Sequence, residues 1–265
     1  MRLLLDSKNK FLIGVVHLRP LPGSPRWDGQ FERILERASA DALAYEKGGA
    51  QAVIIENFGD VPFTKGSVPP ETVAAMASVG LMIRASIKLP IGFNVLRNDA
   101  RAALALCTAC GGEFIRVNVH CGAMLTDQGL IEGKAYETLR VRRDVCPDVQ
   151  IFADVHVKHA VPLGDWPLEV AARDTLERGL ADALIVSGTG TGVASDLDDV
   201  KRVRAACPRA KILLGSGVTA ANVGAYLPFV DGVIVGSSLK REGKVHHPVD
   251  ARRVAALAKA IRQTA

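Results

Sequence analysis

A chain of 265 residues, 48% of them hydrophobic, is long enough to bury a large core, yet it lacks the run of about 18 uninterrupted apolar residues that a membrane span needs. The net charge of +5 and the pI near 9.0 raise the question of nucleic acid, but aromatic residues are only 5% of the chain and supply few base-stacking platforms. The basic residues are spread over helical stretches such as 140–143 and 201–204, so nucleic acid is not an expected partner, and the mild positive field suits a small anionic substrate instead.

The chain then reads as eight short apolar runs separated by helical stretches. The first run, residues 11–18, ends in His17 and is followed by a helix over 31–49, in which Phe31, Ile34, Leu35, Ala38, Ala42 and Tyr45 recur at helical spacing until Gly48 and Gly49 stop it. Residues 52–57 form the second run and close on Glu56 and Asn57. A Gly- and Pro-rich connection, 58–71, follows and carries Val61, Pro62 and Phe63. The third run, 90–96, contains Asn94, and the helix over 99–110 holds Cys107 and Cys110 in a CxxC spacing. Five cysteines without a framework spacing fit a reduced compartment, and this pair reads as ordinary buried helix cysteines. The N-terminus has no secretory pattern, so the expected location is the cytoplasm.

In the fourth run, 114–121, Arg116, Asn118 and His120 share one parity. In the fifth, 151–158, Asp154, His156 and Lys158 do the same, and a second long connection, 159–169, follows. The sixth run, 183–188, leads through Ser187 into 187-SGTGTG-192. The seventh, 211–217, ends on Ser216 and Gly217, with Thr219 placed to cap a helix over 220–227. The eighth, 232–239, ends on Gly236, Ser237 and Ser238. The pair His246–His247 reads as a solvated or interface feature. Segments 141–155 and 203–217 resemble each other, each passing from a helix end through Cys-Pro into a strand. Val/Ile/Leu-rich strands buried on both faces, alternating with helices over about 250 residues, predict one (β/α)8 barrel domain spanning 1–265.

Polar residues that interrupt apolar barrel strands are costly unless paired or functional. One reading makes Arg116 the ion partner of Glu56 or Asp154. The other makes Glu56, Arg116, Asn118, His120, Asp154, His156 and Lys158 a catalytic set, with His17, Asn57 and Asn94 lining the substrate pocket. Ser187, Gly188, Gly190, Ser216, Gly217, Gly236 and Ser237 are the expected phosphate cradle, because glycines let backbone N–H groups approach an anion and loops 7 and 8 of such barrels often hold phosphate. The alternative is that these glycines only make tight turns.

Six segments, 14-GVVHLRPLPGSP-25, 56-ENFGDVPF-63, 116-RVNVHCG-122, 153-ADVHVKHA-160, 187-SGTGTG-192 and 215-GSGVT-219, closely resemble the BtpA/SgcQ family in order and over nearly the whole chain. The resemblance implies a phosphate-binding (β/α)8 barrel. It does not fix a reaction.

Three functions follow. In the first, an isomerase, epimerase or lyase acts on a small phosphorylated sugar or carbonyl compound, with Glu56, Asp154 or His156 moving a proton and Arg116 and Lys158 stabilising negative charge. Lys158 is also a candidate for a Schiff base. The second adds a divalent metal held by ligand types among His17, Glu56, His120, Asp154 and His156. The third is a non-catalytic assembly or regulatory factor that keeps a ligand-binding barrel. A homo-oligomer is expected, with loop 58–71 serving as a lid or covering a neighbour's site.

Overall fold

The computed structural model describes residues 4–6, 9–188 and 190–263. Eight parallel strands close into a barrel: β1 (Phe11–His17), β2 (Ala52–Glu56), β3 (Ile91–Asn94), β4 (Phe114–Val117), β5 (Gln150–Val155), β6 (Ala183–Ser187), β7 (Ile212–Gly215) and β8 (Gly232–Val235). Their spatial order is β1-β8-β7-β6-β5-β4-β3-β2. Each strand lies within one of the eight predicted runs, apart from Gln150 at the start of β5. Helices α1 (Phe31–Gly48), α2 (Pro70–Ser86), α3 (Ala100–Cys110), α4 (Ala135–Val145), α5 (Leu168–Arg173), α6 (Leu197–Ala206), α7 (Val223–Tyr226) and α8 (Ala251–Gln263) alternate with them. No described helix is long and apolar enough to cross a membrane.

Alternation along the strands divides the apolar residues into two shells. Phe11, Ile13, Val15, Ile54, Phe114, Phe152, Ile185, Leu213 and Ile234 fill the barrel interior together with Leu4 and Leu5. Leu12, Val16, Val53 and Ile55 instead pack outward against helix residues such as Tyr45, Met76 and Val79. The interior is crowded: Phe114 stacks on Phe152 at 4.8 Å, and a Cβ on Gly92 would sit 2.3 Å from the Phe114 ring.

A recurrent device closes the N-terminal face of the barrel. Gln51, Asp182 and Asp231 each precede a strand and each accept an N–H from the strand before it. Gln51 accepts from Leu12 at 2.8 Å, Asp182 from Ile151 at 2.7 Å and Asp231 from Ile212 at 3.0 Å. Arg142 and Arg204, on α4 and α6, pair with Asp182 and Asp231 at 2.6 and 2.7 Å. The two segments that resemble each other in sequence therefore also perform the same task, at α4–β5 and α6–β7.

Three details depart from the sequence expectation. Residues Ala123–Thr126, Gly129–Glu132 and Ala160–Pro162 form a small antiparallel sheet above the barrel. Such short strands around a Thr126–Gly129 turn carry too few alternating residues to read as a hairpin. The regular helix expected over 220–227 begins only at Val223. Thr219 caps the turn that leads into it: its hydroxyl accepts the Asn222 N–H at 3.3 Å, the Asn222 side chain accepts the Thr219 N–H at 2.8 Å, and the Thr219 carbonyl accepts the Val223 N–H at 3.1 Å. Helix α5 runs on into a π-helical turn, Asp174–Arg178. Cys107 and Cys110 are free thiols buried in α3, and burial pushes both upward, away from thiolate chemistry.

Candidate active site

The interior parity that is apolar at the bottom of the barrel turns polar at the C-terminal ends of the strands. Register sets His17 beside Glu56 and Glu56 beside Asn94, so three neighbouring strands present polar groups at one level. On β4 and β5 the Arg116 guanidinium grips the Asp154 carboxylate with two hydrogen bonds of 2.8 Å. Asn118 donates to the same carboxylate at 3.1 Å, and Asn94 donates to the Asn118 side-chain oxygen at 2.9 Å. The result is a chain of buried polar groups, each fixed by the next.

Above this floor lie adjoining cavities. One of about 300 Å³ is walled by His17, Glu56, Arg116 and Lys158 on the barrel side and by Thr191, Gly192, Ser216, Gly217, Gly236 and Ser237 on the loop side. A second, of about 410 Å³, shares Glu56, Arg116, Lys158 and Thr191 with it and extends over Asn94, Asn118 and Arg97. Phe58, Val61 and Phe63 roof that part, so loop 58–71 covers this chain's own cavity. A third opens past His17 towards Arg19, Arg26 and Arg37.

The charges in these walls differ in commitment. The side chains of Arg116 and Asp154 are 4% and 0% exposed. Burial alone would lower the Arg116 guanidinium, but the Asp154 carboxylate outweighs it and holds it above its ordinary value. Glu56 is also buried, yet it makes no ion pair among the described residues. The Lys158 ammonium likewise makes no ion pair among them. Burial, then Arg116, lowers its pKa against the opposing pull of Glu56 and Asp154. Burial and the cations Lys240 and Lys158 push His17 well below the ordinary histidine value, so its ring is neutral. Its Nδ1 has no hydrogen-bond partner among the described residues.

Of the sequence-derived candidates, His17, Glu56, Asn94, Arg116, Asn118, Lys158, Ser216, Gly217, Gly236 and Ser237 line the two smaller cavities. Asp154 lies beneath them as the partner of Arg116. Six others lie outside that lining. Strand β4 ends at Val117, and the chain then turns His120 outward, where its Nε2 meets the Gly179 carbonyl at 2.8 Å. At His156 the backbone φ is +49°, which breaks the alternation and swings the ring into an outer groove beside Asp199 and Arg202. Asn57 ties loops together, accepting from the Leu96 N–H at 2.7 Å and donating to Asp60. Ser187, the last residue of β6, donates to the Asp154 carboxylate at 3.5 Å and borders the outer groove with Gly188 of loop 6, on which a Cβ would meet the Val193 carbonyl at 2.4 Å. Gly190 starts the turn to Val193, and Thr191 and Gly192 reach the cavity instead. Thr189 lies outside the described residues.

With His120 and His156 turned away, the five metal-ligand types do not converge. No cluster of three or more His, Cys, Asp or Glu among the described residues is arranged to hold a metal. Two cavity residues had no sequence signal. Arg97 follows β3 in what reads as the start of a helix, and Arg253 reads as the solvated face of α8. In the structure Arg97 is 4% exposed, and Arg253 reaches the cavity beside Ser238, to whose carbonyl it donates at 3.1 Å. Only the fold brings either to the cavity.

Comparison with known proteins agrees with this architecture. The BtpA family model matches residues 8–263. The chain is 48% identical over 250 residues to the photosystem I biogenesis protein BtpA of Synechocystis, covering 94% of this chain and 87% of that one. It is 33% identical to the putative sgc region protein SgcQ of Escherichia coli, covering 92% and 91%. Among solved structures it resembles phosphoribosyl anthranilate isomerase from Thermus thermophilus, with a TM-score of 0.57 at 15% identity over 96% and 98% of the two chains, a likeness of fold alone. The closed eight-stranded barrel, its polar upper layer and these matches together establish that the chain belongs to the BtpA family.

Proposed function

We propose that this chain is an enzyme that anchors a small phosphorylated metabolite at loops 7 and 8 and moves a proton on a carbon next to its carbonyl. The observation that carries this reading is that Glu56 and Lys158 are uncommitted and line both parts of one cavity, whereas Arg116 and Asp154 neutralise each other beneath them. Glu56 is the base that takes the proton and returns it. Lys158 is the cation that stabilises the enolate oxygen formed in between, in a walled site where charge is screened weakly.

The phosphate end is supported by Ser216 and Gly217, both at positive φ, by Gly236 against the His17 ring, and by the leading N–H groups of the 3-10 turn Ser237–Leu239. Arg253 adds a guanidinium at the same wall. Neutral His17 suits hydrogen bonding to an uncharged hydroxyl or carbonyl and not ion pairing.

The test is proton exchange. Phosphorylated aldoses, ketoses and sugar acids incubated with the protein in D2O are followed by NMR for loss of the signal next to the carbonyl. Glu56→Gln is expected to slow exchange by about 10²–10⁴-fold with unchanged melting. Exchange at the wild-type rate in that variant would refute the assignment.

A second reading, a ligand-binding barrel without turnover that serves in assembly as the name of the Synechocystis relative says, draws support from the accessory sheet, which exposes Leu125, Leu130 and Val161. Full cellular function of a chain bearing both Glu56→Gln and Lys158→Met would favour it.

A further inference from the structure

The cavity has a second end, opposite loops 7 and 8, and its polar groups are unmatched. Arg97 is 4% exposed there. One of its terminal nitrogens, Nη2, donates to the Lys158 carbonyl at 2.6 Å, while its Nε–H has no acceptor among the described residues. Asn94, 1% exposed, donates through its amide nitrogen to the Arg116 carbonyl at 3.2 Å and to the Asn118 side chain at 2.9 Å. Because the Arg116 carbonyl can only accept, the amide orientation is fixed. The Asn94 side-chain oxygen is then a buried acceptor without a donor. Both residues line the same cavity, with the orphan donor and the orphan acceptor buried in its wall.

The charges at this end do not balance either. Three buried cations, Arg97, Arg116 and Lys158, face two buried carboxylates, Glu56 and Asp154. Arg116 and Asp154 cancel directly, and Glu56 opposes Lys158, which leaves Arg97. Asp127 lies at the exposed rim, where Gln128 engages it, and the His159 ring is tied to Thr191. Asp154, Glu56 and Asp127 act on Arg97 only from a distance, and a buried guanidinium with no direct ion pair among the described residues favours an anion from the ligand.

We infer that Arg97 and Asn94 form the recognition site for a carboxylate and its neighbouring hydroxyl, so that the substrate is a phosphorylated hydroxy acid bound by its two ends. The inference rests on the phosphate reading of loops 7 and 8. The carboxylate meets the Arg97 guanidinium, and the hydroxyl on the adjacent carbon donates to Asn94 Oδ1. A second phosphate fits less well, because its ionised oxygens only accept and leave Asn94 Oδ1 unmatched.

Calorimetric binding to the full chain tests this with two matched pairs and a control: 6-phosphogluconate against glucitol 6-phosphate, 4-phosphoerythronate against erythritol 4-phosphate, and inorganic phosphate alone. At least one acid is expected to bind about tenfold tighter than its alcohol. Arg97→Lys keeps a donor for the Lys158 carbonyl but lacks the Nε–H. It is expected to shrink that preference to below about threefold while leaving the affinity for inorganic phosphate unchanged. Equal affinities within both pairs, or an undiminished preference in Arg97→Lys, overturn the carboxylate site and spare the phosphate reading. Failure of inorganic phosphate and of both alcohols to bind overturns the phosphate reading and this inference with it.

Discussion

Arg116 and Lys158 are both cations buried at the mouth of one barrel, and their surroundings give them opposite characters. The doubly bonded Asp154 makes Arg116 a fixed part of the floor, and the pair survives burial only as a pair. Asp154→Ala should therefore cost about 3–5 kcal/mol, because Arg116 is left charged and unpaired. Denaturant unfolding would show this, and a loss below 1 kcal/mol would mean that solvent reaches the guanidinium. Lys158 is the reverse case. Burial disfavours its charge, so the folded state pays to keep it protonated at neutral pH. Lys158→Met should raise the melting temperature at pH 7 by a few degrees, about 1 kcal/mol, while abolishing proton exchange. The sign follows from the lowered pKa: the gain is full below the folded value and fades as the pH rises towards the ordinary lysine value, about 10.4. A variant less stable than the parent at pH 7 would contradict it.

Among the elements, loops 6 and 7 are built against each other before any ligand is considered. Gly217 sits at φ +66° with the Ala194 backbone 2.2 Å from where a Cβ would stand, and the Gly188 N–H donates to the Ser216 hydroxyl at 3.2 Å. Glycine is required at 217 for packing and for conformation, whether or not an anion binds. Gly217→Ala should cost about 1–3 kcal/mol by forcing the two loops apart. It should also weaken inorganic phosphate binding, because Thr191, Gly192 and Ser216 move with the loops. Chemical denaturation and phosphate titration of this one variant separate the effects. Loss of stability with undiminished phosphate affinity would return these glycines to turn-making alone. The same scale explains the misplaced residues. Period-two reasoning accounts for the inward placing of Arg116 and Asp154, which lie within β4 and β5, but it holds only while the backbone stays extended, and Asn118 and Lys158 reach the cavity from beyond the strand ends. It failed at His120, past the end of β4, and at His156, where φ is positive.

For the whole molecule, acid acts in part through buried histidines, of which His17 is the one in the cavity. His17 resists protonation in the folded barrel, whereas in the unfolded chain it takes a proton below about 6.5. The unfolded state therefore binds more protons as the pH falls below that point, and stability declines until the folded pKa is reached. His17→Asn should flatten the acid limb of a melting-temperature profile below about pH 6.5. An unchanged slope would assign the acid sensitivity to other groups, among them His120, His156 and His159, which burial also holds below the ordinary value.

The order of residues along the chain specifies the barrel, because eight apolar runs alternating with amphipathic helices leave the hydrophobic effect few other ways to close. It also determined which end of the barrel is polar, since residues such as Glu56, Asn94 and Arg116 interrupt the apolar parity only near the strand ends. How the charges are shared is set on folding. Whether Arg116 would pair with Glu56 or with Asp154 depends on positions across strands β2, β4 and β5, which no local pattern encodes. Arg97 and Arg253 were invisible for the same reason: a single arginine at the edge of a helix reads as solvated until the fold buries one and brings the other to the mouth of the cavity. The barrel and the glycine-rich loops at its mouth could be read along the chain, whereas the pairing that leaves Glu56 and Lys158 uncommitted is a property of closure.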